Sequence, residues 1–576
     1  MENSPRKIPL KQYLEAVREH CQGLSKEQLV ETLLNLAQEA PVRGRVNFLD
    51  KIRVLAPDPG EKKTGKDPEE ALLERIAVLG EEIRQRVESI ESGDYWDDPD
   101  QWEDVGYDDE EPDYVTSEQV EELQDLFLET GGIFLDGRLE TASRLYRALF
   151  DFMDENSQVA GYPSPESLDI REERARYCRC VYETVDPKRR VESVLACINI
   201  DASLNDYRLD LPSERFPMLQ DLIDARFGEL TDLETFLLAW EKRLARYSGD
   251  RASVLRMEAV QKLKGVDGIS VLARKWKSEQ PRGYLFWIQC LENEGNRQEM
   301  IDVCREALDA LPNGTFREQA AEYFTMAAER LEIAEYVLMG KRERFLSVPN
   351  ERNLLELLGE ARKQNVRFQE LETVLSSLER KKEDDKYGRG NLYVKALLMA
   401  GRLQEAFREA KGEKNLGWSS GNAGVVFASI LSVLTDNSSK AVTVRTLLKQ
   451  YAESRGYYDE DDDGSKPEEA YKEILTGLKL VKTGEPETRE YRAWVDKIGR
   501  SRIEAIVSGQ HRGAYDRAAG VLGSLAEYYI ISGGIEKARS LLHEFVFVKF
   551  PRHHAFRREV KSVASGSDIV KALRVI

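Results

Sequence analysis

The sequence predicts an all-α chain of stacked helical hairpins, an α-solenoid. Three observations predict it. Apolar residues recur at helical spacing behind capping residues, runs of alternating β-branched residues are scarce, and one Gly-turn-helix layout appears four times. The 576 residues suffice for several domains' worth of core, and 41% hydrophobic with 33% charged residues is the composition of a soluble globular chain.

The first helical signal is "SKEQLVETLLNLAQEAP", with Ser25 as N-cap, Leu29, Leu33, Leu34 and Leu36 near helical spacing, and Pro41 as the stop. "DPEEALLERIAVLGEEIRQRVESI" follows behind Asp67 and Pro68, its early acids suited to the positive end of the helix dipole. Polar stretches separate the helical blocks. They are 56–70, the segment "GDYWDDPDQWEDVGYDDEEPDY" at 93–114, "YYDEDDDGSKPEE" at 457–469 and a lesser one at 381–391. Each offers little apolar surface against the entropy of ordering. The expected organisation is an N-terminal helical block (1–55), a linker with one helix and the acidic aromatic segment (56–115), and a main repeat array (116–456). An acidic hinge (457–465) and a C-terminal hairpin block (466–576) complete it.

The repeated layout is "GRLETASRLYRALF" (137–150), "GNRQEMIDVCREAL" (295–308), "GRLQEAFREAKGE" (401–413) and "GGIEKARSLLHEF" (533–545). Each Gly suits a left-handed helix end, and five residues on stands Ala142, Met300, Ala406 or Ala538, small or apolar enough for close helix packing. The layout resembles the tetratricopeptide repeat. With Met300 at that repeat's small position, Pro312 takes the closing Pro; with Ala538 there, Tyr529 takes the aromatic position and Pro551 lies one past the Pro. The copies at 137 and 401 lack that Pro, so the expectation is a tetratricopeptide-like stack rather than regular repeats. Longer stretches are similar to the helical region of bacterial SWIM zinc-finger family proteins. They are "LLAWEKRLARY" (237–247), the run 271–312 beginning "VLARKWKSEQPRGYLFWIQC", the run 506–560 beginning "IVSGQHRGAYDRAAG", and "LSKEQLVETLLNLAQEAP". That family's metal motif is Cys-x-Cys followed by Cys-x-His. Here Cys178 and Cys180 supply the first half and no Cys-x-His exists, so the resemblance implies the scaffold without the zinc.

The candidate chemistry is read against ordinary packing. Cys178 and Cys180 would point to opposite sides of the helix predicted for "REERARYCRCVYETV", which suits packed thiols better than four converging zinc ligands. Ser419 in "GWSSG" fits the nucleophile-elbow pattern but lacks a preceding strand. Asp459, Asp461, Asp463 and Gly464 match the opening of a calcium loop, yet position 12 is Ala470 rather than Glu, so this is a weak calcium candidate. Trp276, Trp287 and Tyr284 are expected in the core, and Arg512 and Gly513 at a tight corner before Tyr515. No phosphate-loop or dinucleotide motif occurs.

The net charge of −20 disfavours general nucleic-acid binding. Six scattered Cys, the absence of an apolar core in "MENSPRKIPLKQYLEAV" and a longest apolar run of only half a membrane span point to a reducing cytoplasm and no membrane. The expected function is a non-catalytic cytoplasmic scaffold or adaptor, without cofactor, that binds a protein partner through the repeat surface and acidic aromatic segments. Trp96, Trp102 and Tyr107 are candidate anchors in the acidic segment, and Arg552, Arg557 and Arg558 in the locally basic "KFPRHHAFRREVK". The alternatives are a nucleic-acid-associated factor using those arginines, or a regulatory protein whose exposed hinge at 457–469 is cut by a partner protease.

Overall fold

The computed structural model describes residues 10–39, 68–92, 113–155, 168–198, 216–226, 228–247, 249–381, 390–413, 416, 422–453 and 467–575. All regular elements among them are helical. In chain order they begin with α1 (Leu10–Gln22), α2 (Lys26–Glu39), α3 (Pro68–Ser92), α4 (Ser117–Leu135), α5 (Leu139–Glu155), α6 (Ile170–Thr184) and α7 (Arg190–Ile198). Then come α8 (Leu219–Asp224), α9 (Leu233–Leu244), α10 (Asp250–Trp276), α11 (Arg282–Glu294), α12 (Arg297–Ala310), α13 (Thr315–Arg330) and α14 (Ala334–Ser347). They continue as α15 (Glu351–Lys363), α16 (Arg367–Lys381), α17 (Gly390–Met399), α18 (Leu403–Ala410), α19 (Asn422–Leu434), α20 (Val442–Glu453) and α21 (Pro467–Leu478). The last are α22 (Glu485–Ser508), α23 (Tyr515–Ile531), α24 (Ile535–His543), a π-helix at Glu544–Lys549, α25 (His554–Gly566) and α26 (Asp568–Lys571).

A local signal starts α2 where the sequence placed it. The Ser25 hydroxyl accepts the Gln28 N–H at 3.3 Å while Gln28 Oε1 accepts the Ser25 N–H at 2.8 Å, a reciprocal capping box. Thr116 and Gln119 repeat the arrangement ahead of α4. The four repeat corners share one backbone geometry. Gly137, Gly295, Gly401 and Gly533 all take positive φ, between 72° and 82°. One residue on, the N–H of Arg138, Asn296, Arg402 and Gly534 donates to the carbonyl of Ile133, Leu291, Leu397 and Tyr529 at 2.8–3.2 Å. This is the six-to-one bond of a Schellman helix end. Ala142, Met300, Ala406 and Ala538 are all buried in the next helix. Four further corners among the described residues have the same bond without glycine: Glu332, Asn365, Asp436 and Gln510 take φ of 58°, 60°, 54° and 56°, and Ile333, Val366, Asn437 and His511 donate to Ala328, Ala361, Ser432 and Ile506. From 295 to 401 the corners therefore recur roughly every 35 residues, the length of a two-helix repeat.

The chain forms two compact units, Met1–Phe286 and Trp287–Ile576, and the division falls inside the stretch 116–456 that the sequence grouped as one array. In the first unit α6 stands between two cores. One gathers α3, α4 and α5 around Phe127, Tyr146 and Phe150; the other gathers α7 to α10 around Tyr182, Phe236 and Trp240. In the second unit, consecutive helices from α12 to α21 touch in turn. A single core runs from Leu338 to Leu573.

That core includes residues on both sides of the expected hinge at 457–465. The segment itself lies outside the described residues, but the helices on either side of it share the core. α21 packs on α17 and α20, and α23 packs on α20. Arg367 of α16 donates to the Glu473 carboxylate of α21 at 2.8 Å and to the Met399 carbonyl at 2.9 Å, both in the interior. Glu527 of α23, fully buried, accepts the N–H groups of Thr443 and Val444 and the Thr443 hydroxyl, all at 2.9 Å, which caps α20. An acidic composition marks a polar connection; it does not mark where a core ends.

Candidate interaction surfaces

The C-terminal helices carry most of the predicted basic residues. In α25 the apolar side chains of Phe556 and Val560, one turn apart, are buried. Phe556 meets Tyr515 and Phe550 edge-on, with ring centroids 5.9 and 6.1 Å away. This anchoring leaves Arg558, Lys561 and Ser565 on the solvent side. The three candidate arginines do three different things. Arg557 lies over the Phe547 ring at 5.3 Å and donates to the Pro551 carbonyl at 2.8 Å, a structural role. Arg558 meets its neighbour Glu559 at 3.3 Å, and Arg552 is exposed.

Two clefts share Val575 in their lining, and the smaller of them borders this helix. The larger, about 390 Å³, is lined by Arg539, Ser540, His543, Glu544, Val548 and Val575. Its charges are balanced. Glu544, at the start of the π-helix, meets Arg500 at 2.8 Å and Lys549 at 3.0 Å, and Arg539 meets Glu536 at 2.8 Å. Burial pushes the nearby Asp496 carboxyl upward, but hydrogen bonds from Tyr529 and Arg500 carry it below the usual aspartate value. The smaller cleft, about 170 Å³, has Leu542, Ala564, Val570 and Val575 as its apolar part and Lys561, Lys571 and Arg574 as its charged part. Among the described residues, no carboxylate lines it. The sequence reading quoted Lys561 at the end of "KFPRHHAFRREVK" without choosing it as a candidate, and it missed Lys571 and Arg574. The three come from two helices and the tail, and only the fold brings them together.

The N-terminal helices present the opposite chemistry. α2 is a helix with the expected cap, yet Val30, Leu33, Leu34 and Leu36 are 45–58% exposed. On α1, Tyr13 and Val17, one turn apart, are exposed as well. The helical spacing that reads as a core face is a solvent face in this chain.

The remaining candidates sort as follows. Cys178 and Cys180 are both buried, and they belong to the two different cores that flank α6. Burial pushes both thiols up, against the thiolate form that zinc binding requires. Trp287 and Tyr284 are buried, whereas Trp276 is half-buried with Arg256 over its ring at 5.5 Å. The corner at Arg512–Ala514 is a single 3-10 turn that delivers the buried Tyr515 into α23. Trp96, Trp102, Tyr107, Ser419, Asp459, Asp461 and Asp463 lie outside the described residues. Among the described residues, no group of three His, Cys, Asp or Glu side chains could hold a metal ion, and no helix is long and apolar enough to cross a membrane. No family model and no curated protein matches the chain.

Proposed function

We propose that this chain is a non-catalytic cytoplasmic scaffold that binds a protein partner, built on tetratricopeptide-like hairpins. The Schellman corners at Gly295, Glu332, Asn365 and Gly401 and their recurrence support the hairpin stack. The observation that carries the reading is the uncovered apolar face of α1 and α2. Helices of 13 and 14 residues are marginal in water on their own and owe their stability to burial of an apolar face. Here that face remains in solvent, which favours an occupant that covers it. Val30, Leu33 and Leu34 stand at i, i+3 and i+4, so the fitting occupant is the apolar face of a helix supplied by the partner.

The test is capture with the tagged full-length chain from its native host at low salt, with and without nuclease, beside the variant Leu33→Asp/Leu34→Asp. The expected result is a stoichiometric protein that survives nuclease and is lost from the variant. Binding of that protein, once purified, should then weaken at least tenfold on the same substitutions. Recovery that depends on nucleic acid would transfer the function to the alternative class. Equal capture by wild type and variant would remove this face from the interface.

A further inference from the structure

We propose that the smaller C-terminal cleft, framed by Lys561, Lys571 and Arg574, is a binding site for a phosphate monoester dianion. Its location and residues are independent of the partner face on α1 and α2.

Charge is the first ground. The chain holds 104 acidic and 84 basic residues, so carboxylates outnumber cations. Arg500, Lys549, Arg539 and Arg558, all in the same C-terminal region, have an acidic neighbour. Lys561, Lys571 and Arg574 form no ion pair and no side-chain hydrogen bond among the described residues, although they line one cavity. Three like charges gathered without a counterion repel one another, and a bound anion relieves that repulsion.

Backbone is the second ground. Arg574 is a non-glycine residue held at φ 52°, a left-handed conformation that such side chains take at a cost of about 1 kcal/mol or more. Its N–H is tied to the Lys571 carbonyl at 3.2 Å. The turn keeps Arg574 and Lys571 on one cleft and sets Val575 in the lining of both clefts.

Size and donor set select the ligand. A space of about 170 Å³ is room enough for a tetrahedral oxyanion with its ester oxygen. A single carboxylate would neutralise one of three cations; a phosphate monoester carries close to two charges and three acceptor oxygens. The Ser565 hydroxyl already donates to the Lys561 carbonyl at 2.8 Å, which leaves the two ammonium groups and the guanidinium as the donors. Beyond them the apolar edge of Val575 and Val548 leads into the larger cleft, where the organic part of the ester would lie.

The same dianion could arrive on a small metabolite or on a phosphorylated side chain, and the experiment separates these sources. Full-length protein is titrated calorimetrically at low salt with inorganic phosphate, glycerol phosphate, a phosphoserine peptide, its unphosphorylated counterpart, and acetate. The expected result is one saturable site per chain for the phosphate-bearing probes. Binding should fall about tenfold in Lys571→Gln and again in Arg574→Gln, and about a hundredfold in the double variant, with no change in Arg552→Gln. Tighter binding of glycerol phosphate than of the phosphopeptide assigns the small-molecule source, and the reverse assigns the peptide. Thermal melts establish that the variants fold. Lys561→Gln, on a different helix, reads the same cleft should a tail variant be unstable. Absence of saturable binding by every phosphate probe, acetate binding as tight as phosphate, or an unchanged affinity in the double variant would overturn the assignment.

Discussion

Gly477 lies where α21 crosses α17. A Cβ added there would sit 2.1 Å from the Leu398 carbonyl oxygen and 2.5 Å from that of Met399. Both obstacles are backbone, so neither can swing aside as a flexible side chain would, and α21 must lift as a unit. Gly359, inside α15, is the natural comparison: a Cβ there meets nothing within 4 Å. In both helices Gly→Ala gains about 1 kcal/mol of helix propensity. At Gly359 that gain stands alone. At Gly477 it opposes an overpacking penalty of about 3 kcal/mol, the upper end of the usual range because the obstacle is rigid. The expected outcome is that Gly477→Ala is destabilised by about 2 kcal/mol and Gly359→Ala stabilised by about 1 kcal/mol. At about 2 °C per kcal/mol for a unit of this size, the two variants should melt about 6 °C apart, on opposite sides of wild type. Thermal denaturation followed by circular dichroism, with urea titration as a second measure, reads the difference. Equal melting of the two variants would refute the close crossing, and with it the claim that the helices after residue 466 share a core with those before 454.

The same packing sets the fate of a cut chain. With a specific protease site inserted at 457–465, the two fragments should co-elute under native conditions after complete cleavage, because the buried Arg367–Glu473 pair and the Glu527 cap join them. Separation without denaturant would support the alternative of a hinge whose cutting releases two blocks. In the first unit, Glu258 accepts the N–H groups of Leu219 and Gln220 at 2.8 and 2.6 Å, and burial pushes its carboxyl up to about 7. A raised folded-state value means that folding favours the proton. The stabilising contribution is full below the ordinary value of 4.5 and is lost as pH rises through about 7. Over that interval the wild type should lose up to about 3 kcal/mol that Glu258→Gln does not lose. Denaturant melts of both proteins from pH 4.5 to pH 7 check this, and parallel profiles would show that Glu258 does not carry the effect.

Much of the helical fold was legible because caps and corners are local. Ser25 with Gln28 and Thr116 with Gln119 need only three residues of context. The corners at Gly137, Gly295, Gly401 and Gly533 were legible because glycine is the residue that takes positive φ without strain. Those at Glu332 and Asn365 have the same hydrogen bond but no glycine, so half of the succession between 295 and 401 was hidden. Periodicity also has a limit. It showed that α2 has an apolar face, but not that the chain would leave Leu33 and Leu34 uncovered, since exposure depends on what packs nearby. The acidic stretch at 457–465 read as a hinge for a related reason. Composition reports on the segment, whereas a domain boundary depends on contacts such as Arg367 with Glu473, 106 residues apart in sequence.

Basic residues illustrate best why sites resist a linear reading. "RHHAFRREVK" is the densest basic run near the C-terminus, and it directed the sequence reading to Arg552, Arg557 and Arg558. Yet Arg557 is occupied by Phe547 and Pro551, and Arg558 by Glu559. Density along the chain measures how many cations are present. It does not measure how many lack a counterion, and an anion responds to the second quantity. Lys561 only closes that run, and Lys571 and Arg574 lie beyond it and look like ordinary surface in the sequence. Phe556 and Val560 fix the face of α25, and the turn at Arg574 keeps the tail residue on the same cleft. The attraction for an anion is therefore a property of the packed C-terminal helices. Neutralising Arg552 should leave it intact, while the Arg574→Gln change at the turn should weaken it.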